Sequence, residues 1–187
     1  MAYNGVRRKV FISHYKGNSA AAGNFIDKWA YGEGVFIPKQ LGVYNDEEFI
    51  DSDDTDYVMS QIRKKYLGDS TVTIVLMGTC THSRRYVDWE IKSSLQQGET
   101  SPNGLLGIVL PGIEKAPHLP ERFSKNFSND QPCYALYHWA PDSADQLGRW
   151  IDAAYAARTD LNKTKLISNS QDMWKYNHKC KVCGVTH

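Results

Sequence analysis

Thr71-Val72-Thr73-Ile74-Val75-Leu76-Met77, then Gly78-Thr79-Cys80-Thr81-His82-Ser83, then Arg84-Arg85-Tyr86-Val87-Asp88-Trp89-Glu90-Ile91-Lys92-Ser93-Ser94-Leu95-Gln96-Gln97 read as one strand, one turn and one helix. The first run is almost continuously apolar, as in a strand covered on both faces of a parallel sheet. Val87, Ile91 and Leu95 recur at i, i+4 and i+8 and share the helix stripe that packs on such a sheet. Ser83 is the expected N-cap. Glu90 lies about 100° from the middle of the stripe, at the border of core and solvent, with Tyr86 one turn earlier on the same side. In open α/β sheets ligands bind beyond the carboxyl ends of the strands, where this turn and the first helical turns fall. A carboxylate at that border is partly desolvated and within reach of a ligand; the plain alternative is a solvated surface acid.

The surrounding chain fits one domain with an appendage. It has 187 residues, 41% hydrophobic and 23% charged, enough to close a substantial core. A formal net charge of +1 gives little pull toward nucleic acid or an anionic membrane, and Arg7-Arg8-Lys9 and Arg63-Lys64-Lys65 are short solvated edges. The N-terminal residues lack the apolar stretch of a signal peptide and no run approaches bilayer length, so a cytoplasmic protein is expected. Cys80, Cys133, Cys180 and Cys183 are spaced too unevenly for a disulfide framework, which makes them thiols or metal ligands.

Further strand and helix signals alternate along the chain. Residues 9–15, Lys9-Val10-Phe11-Ile12-Ser13-His14-Tyr15, form a short apolar strand with polar residues at its carboxyl end, and Ser19 can cap a helix through Trp29. Ser13, His14 and Tyr15 then stand at the favoured edge for a site; a rim that merely covers the sheet end is the other reading for His14 and Tyr15. A second strand is expected near Leu41–Tyr44. Asp53 or Asp54 would cap a helix over 55–66, with Val58, Ile62 and Leu67 inward. The acidic stretch before it lacks the spacing of a calcium loop. Leu105–Leu110 is a second fully apolar strand stopped by Pro111-Gly112, 113–132 reads as a long surface connection, 133–137 as a fifth strand and 142–157 as the last helix. This alternation predicts a parallel sheet with helices on both faces.

The domain would span residues 1–157, with 158–187 as a C-terminal extension. Cys180-Lys181-Val182-Cys183-Gly184 carries the two-residue spacer that lets two thiolates chelate one ion. Further ligands would have to come from His178 or His187, from Cys80 and His82, from Cys133 and His138, or from a second chain; free thiols are the other reading. No metal site is assigned on this pair alone, and zinc there would be structural.

The strand end Phe11-Ile12-Ser13-His14-Tyr15, the strand and turn Thr73–Thr81, and Ser83-Arg84-Arg85-Tyr86-Val87-Asp88-Trp89-Glu90-Ile91 together resemble the TIR-like family that includes the sensor subunit of the bacterial Thoeris antiphage system. The resemblance covers about residues 9–157. It implies a flavodoxin-like, five-stranded parallel sheet and an NAD-consuming enzyme that cleaves the nicotinamide glycosidic bond. The product would be ADP-ribose, a cyclic isomer or a conjugate, a diffusible nucleotide signal that activates a separate effector protein. A phage-derived trigger and a homo-oligomer are compatible with it. On this resemblance Glu90 is the catalytic carboxylate, and Ser13, His14, Tyr15 and Tyr86 bind the substrate NAD; where the family usually has Trp four residues before the Glu, this chain has Tyr86, with a Trp at Trp89. Loss of nicotinamide develops positive charge at the anomeric carbon, which a fixed carboxylate stabilises, and nicotinamide leaves without protonation. The alternative is a TIR-like module that binds a partner or nucleotide without turnover, for which Trp89, on the helix face away from the stripe, would be an exposed anchor or a contact for the tail.

Overall fold

The computed structural model describes residues 3–40, 55–62, 64, 67–97 and 101–186. Its sheet has five strands, all parallel, in the order β2-β1-β3-β4-β5: β1 Arg8–His14, β2 Phe36–Gln40, β3 Val72–Met77, β4 Gly104–Val109 and β5 Leu136–His138. This is the flavodoxin-like order, with its switch point between β1 and β3. The helices are α1 Ser19–Ile26, continued by a π turn over Asp27–Gly32, α2 Thr55–Ile62, α3 Arg85–Ser94, α4 Glu121–Ser124, α5 Ala144–Ala157 and α6 Leu161–Thr164.

Alternation along the strands divides the core into two layers. Val10, Ile12, Ile74, Leu76, Leu106 and Ile108 face α1 and α5, meeting Phe25, Ile26, Leu147 and Ile151. Val75, Met77, Leu105 and Val109 face the other way, onto Val87, Ile91 and Leu95 of α3 and Phe123 of α4. Every residue of β3 and β4 is buried, as their apolar runs required. At Gly104, α5 comes so close that a Cβ would stand 1.9 Å from the Ala154 carbonyl oxygen; only glycine lets these backbones approach.

Three expectations need correcting. The second strand precedes its expected place: Phe36–Gln40 pairs with β1, with Pro38 opposite Val10, whereas Leu41–Tyr44, Asp53 and Asp54 lie outside the described residues. Pro38 hid this strand, since proline is tolerated only at a sheet edge, the place β2 holds. Within 113–132, α4 interrupts what read as a surface connection, and its Arg122 and Phe123 are among the most deeply buried side chains. Finally, β5 begins at Leu136, because Tyr134 and Ala135 donate their N–H groups to the Asn126 carbonyl instead of a strand ladder.

Beyond α6 the chain folds back over α3. Arg122 anchors it: its guanidinium forms a bidentate pair with Asp88 at 2.9 and 3.1 Å and also donates to Asn169 Oδ1 and the Gln171 and Asp172 carbonyls. Lys92 Nζ donates to the Asn169 and Gln171 carbonyls, Asn126 to that of Ser168, and Arg85 to that of Lys175. Met173 packs with Phe11, Ile62, Leu67 and Trp89. Residues 168–175 thus form a covering layer on α3 and α4.

Candidate functional site

β1 and α3 build the site. Ser13, the next-to-last residue of β1, faces α3, and α3 runs back along the sheet from its carboxyl edge, so that Glu90 in its second turn lies against Ser13. Ser13 Oγ donates to Glu90 Oε2 at 2.5 Å, and Ser13 has no solvent exposure. Glu90 is 6% exposed, deeper than the border position its helical angle suggested. Seven of the ten α3 residues are buried, because the tail covers the flank that an isolated amphipathic helix leaves in water. Burial drives the Glu90 carboxyl up to about 8, only partly opposed by the Ser13 hydrogen bond.

Glu90 and Asp88, two residues apart, are handled differently. Asp88 is neutralised by Arg122 and accepts from the Trp174 N–H. Glu90 has no ion-pair partner among the described residues. A buried acid that serves the fold normally comes with its cation; one that does not is held for something else or is a cost to stability.

A second unpaired charge stands at the same edge. Arg84 precedes the first residue of α3 and is 4% exposed; its Nε donates to the Cys80 carbonyl, while Nη1 and Nη2 have no hydrogen-bond partner among the described residues. Its guanidinium lies 4.0 Å from the centre of the Tyr15 ring. Tyr15 in turn rests on Gly17, where a Cβ would stand 2.4 Å from the ring. Asn18 Oδ1 is likewise buried without a partner among the described residues, against Gly78 just after β3. Arg84 and Asn18 escaped the sequence reading; the adjacent arginines at the helix start were the only signal for Arg84.

The expected residues fall in different places. Ser13 meets Glu90, and Tyr15 shares the edge with Arg84. His14 points to the opposite face by strand alternation, its Nε2 3.4 Å from Ser19 Oγ at the start of α1, and burial lowers its pKa. Tyr86 is engaged beside Trp89, edge-to-face at 5.2 Å, and its hydroxyl accepts from Arg85 Nη2 at 2.8 Å. Trp89 is 7% exposed, and its Nε1–H donates to the Trp174 carbonyl at 2.7 Å, so it is a tail contact and not an exposed anchor. Ser83 is not the cap of α3; the N–H of Arg85 is capped by Asn177 Oδ1 at 2.8 Å, from the tail. A cleft of about 730 Å³ lined by Ser70, Thr71, Ser94, Asn103 and Arg158 lies at the other end of the sheet, away from Glu90.

Cysteines converge at the turn before α3. The sulfurs of Cys80, Cys180 and Cys183 lie within 4.8 Å of one another. Of the other residues weighed as ligands, His82 Nε2 accepts the Lys181 N–H, His178 stacks on Trp174, His138 stacks on Trp150, and Cys133 donates to the Ser128 and Ala135 carbonyls. His187 lies outside the described residues.

No helix among the described residues is long and apolar enough to cross a membrane. No curated protein matches the chain. The family model for the TIR-like domain of Thoeris protein ThsB matches residues 11–115, a span that runs from β1 through α3 and β4 and holds Ser13, Arg84 and Glu90. With more than half its length matched and the β2-β1-β3-β4-β5 parallel sheet of that fold, the chain belongs to the TIR-like domain family of Thoeris protein ThsB.

Proposed function

We propose that this chain serves Thoeris defence as an enzyme that breaks the bond between nicotinamide and ribose in NAD and releases an ADP-ribose-derived signal for a separate effector. The observation that carries this reading is Glu90, a carboxyl buried near the carboxyl edge of the sheet, held by Ser13 and without a cation among the described residues. The nicotinamide ring of NAD carries a fixed positive charge, and its departure moves that charge to the anomeric carbon. A carboxyl titrating near 8 is mostly protonated in the empty site at neutral pH, and an adjacent cation favours its ionised form. Glu90 would therefore ionise as the substrate seats and then stabilise the charge that develops as the glycosidic bond lengthens. The bonding pair leaves with neutral nicotinamide. Water at the anomeric carbon gives ADP-ribose and a proton; a nucleophilic atom of the ADP-ribose itself gives a cyclic isomer.

Arg84 supports a dinucleotide as the ligand. A buried guanidinium with two nitrogens that have no hydrogen-bond partner among the described residues is matched to a diphosphate, and Tyr15 beneath it fixes its plane. The reading as a binding module without turnover loses the exposed Trp89 on which it drew.

The test is nicotinamide release from NAD, followed by chromatography, with the purified chain and with extracts of phage-challenged cells. Release by the wild type and none by a folded Glu90→Gln variant is the expected result. Equal release by the two would remove Glu90 from the chemistry, and an extract from challenged cells that releases no more nicotinamide than one lacking the protein would remove the activity.

A further inference from the structure

The three thiols at the turn before α3 form a triangle. Cys180 Sγ lies 3.4 Å from Cys80 Sγ, Cys80 Sγ lies 3.7 Å from Cys183 Sγ, and all three sulfurs fall within 4.8 Å of one another. Zn–S bonds of about 2.3 Å at tetrahedral angles place sulfurs about 3.8 Å apart, close to the 3.7 and 3.4 Å that separate Cys80 from Cys183 and from Cys180. A disulfide has a different geometry: it joins two sulfurs at about 2 Å and excludes a third.

The backbone around the triangle is a tight turn that brings the Cys180 and Cys183 sulfurs to one side. Gly184, just after Cys183, has φ +73°, a conformation that favours glycine, and its N–H donates to the Cys180 carbonyl at 2.9 Å. The Cys180 N–H donates to the Val185 carbonyl, closing the loop from the other side. The N–H groups of Val182 and Cys183 both point at the Cys180 sulfur, an arrangement that suits a thiolate ligand. His82 receives the Lys181 N–H on Nε2 and fixes this turn against the loop that carries Cys80.

We propose that Cys80, Cys180 and Cys183 bind a zinc ion through three thiolates, with one further ligand completing the tetrahedron. The site joins residues a hundred positions apart and pins the tail to the turn that starts α3. Next to it the His178 N–H donates to the Ser83 carbonyl and Asn177 caps α3. The ion would thus act as a clasp on the helix that carries Glu90, and its binding energy would add to folding.

The test uses the intact chain, purified under reducing conditions without chelator, with elemental mass spectrometry for metal. About one zinc per chain is expected in the wild type and in Cys133→Ser, which lies outside the triangle, and less than a tenth of that in Cys80→Ser and in Cys180→Ser with Cys183→Ser. Should the cysteine variants precipitate, the wild type suffices: blocking its thiols stepwise with a mercurial should release zinc into a chromogenic chelator. Cobalt added to stripped protein should give the visible bands of a tetrahedral site and a thiolate-to-metal charge-transfer band. Three free thiols that take up neither zinc nor cobalt under reducing conditions, or equal zinc in all variants, would overturn the site.

Discussion

Replacing Glu90 with glutamine should change how stability depends on pH, in a direction that burial fixes. The folded-state pKa of Glu90 is raised from 4.5 to about 8, so between these values the native protein keeps a proton that the unfolded chain has lost. Stability therefore falls as pH rises from the unfolded value toward the folded one, and levels off above it. Between about pH 5.5 and about pH 8.5, a group titrating at 4.5 unfolded and about 8 folded takes roughly 3 kcal/mol from the native state. Glutamine has the same shape, can still accept from Ser13 and does not titrate, so this loss disappears in the variant. The assay is urea denaturation of both proteins across that range, with the variant's unfolding free energy subtracted from that of the wild type at each pH. Contributions from other groups, including the buried His82 and the half-buried His14 and His138 whose pKa values are lowered, are common to both proteins and cancel. A difference that drifts against the wild type by about 3 kcal/mol is expected; parallel curves would mean that Glu90 is solvated and that the burial on which its proposed role rests is absent.

The same titration should appear in turnover: kcat/KM for NAD should rise with pH and flatten above about 8, as the ionised carboxylate forms in the free enzyme, and a flat or falling profile over that range would oppose the mechanism. Ser13→Ala removes the hydroxyl that holds the carboxylate; a loss of about tenfold to a hundredfold in kcat/KM is expected, with the rising limb displaced to higher pH. Arg84→Met should raise KM by about tenfold or more with little change in kcat, while leaving thermal stability unchanged or higher, since an unpaired buried charge is removed. Arg122→Met, in contrast, strands Asp88 in the interior and should cost about 3–5 kcal/mol in denaturant unfolding, part of which Asp88→Asn in the same chain should restore.

The central strands were legible because they are buried on both faces: Val72–Met77 and Gly104–Val109 need apolar residues at nearly every position, and that leaves a mark no loop imitates. The edge strands were not, since Pro38 and Lys39 are tolerated where one side of a strand meets no neighbour, and β5 is too short to show a pattern. Periodicity put Glu90 on the right helix and the right flank but missed its depth. A helix's own sequence reports the face it turns to the sheet, whereas the tail over its other flank comes from residues eighty positions later. Ser13 was legible as a strand-end residue, and its bond to Glu90 was not. The same holds for the cysteines: the 180/183 spacing is visible in one dimension, but Cys80 joins them only when the turn after β3 and the chain end are folded together.

How the tail is held has a consequence for substitution. The carbonyls of Ser168, Asn169, Gln171, Asp172, Trp174 and Lys175 all accept from side chains of α3, of α4 or of Asn126 just beyond α4, so the domain grips this segment largely by its main chain. Every amino acid except proline offers much the same backbone, so most side chains here are free to drift while the seat on the helix is retained. An alanine scan of residues 168–175 should be quiet except at Met173, whose side chain is buried, at Asn169, whose amide accepts from Arg122 and donates to the Lys92 carbonyl, and at Trp174, which stacks on His178, whereas trimming any of the gripping residues would loosen the whole strap at once.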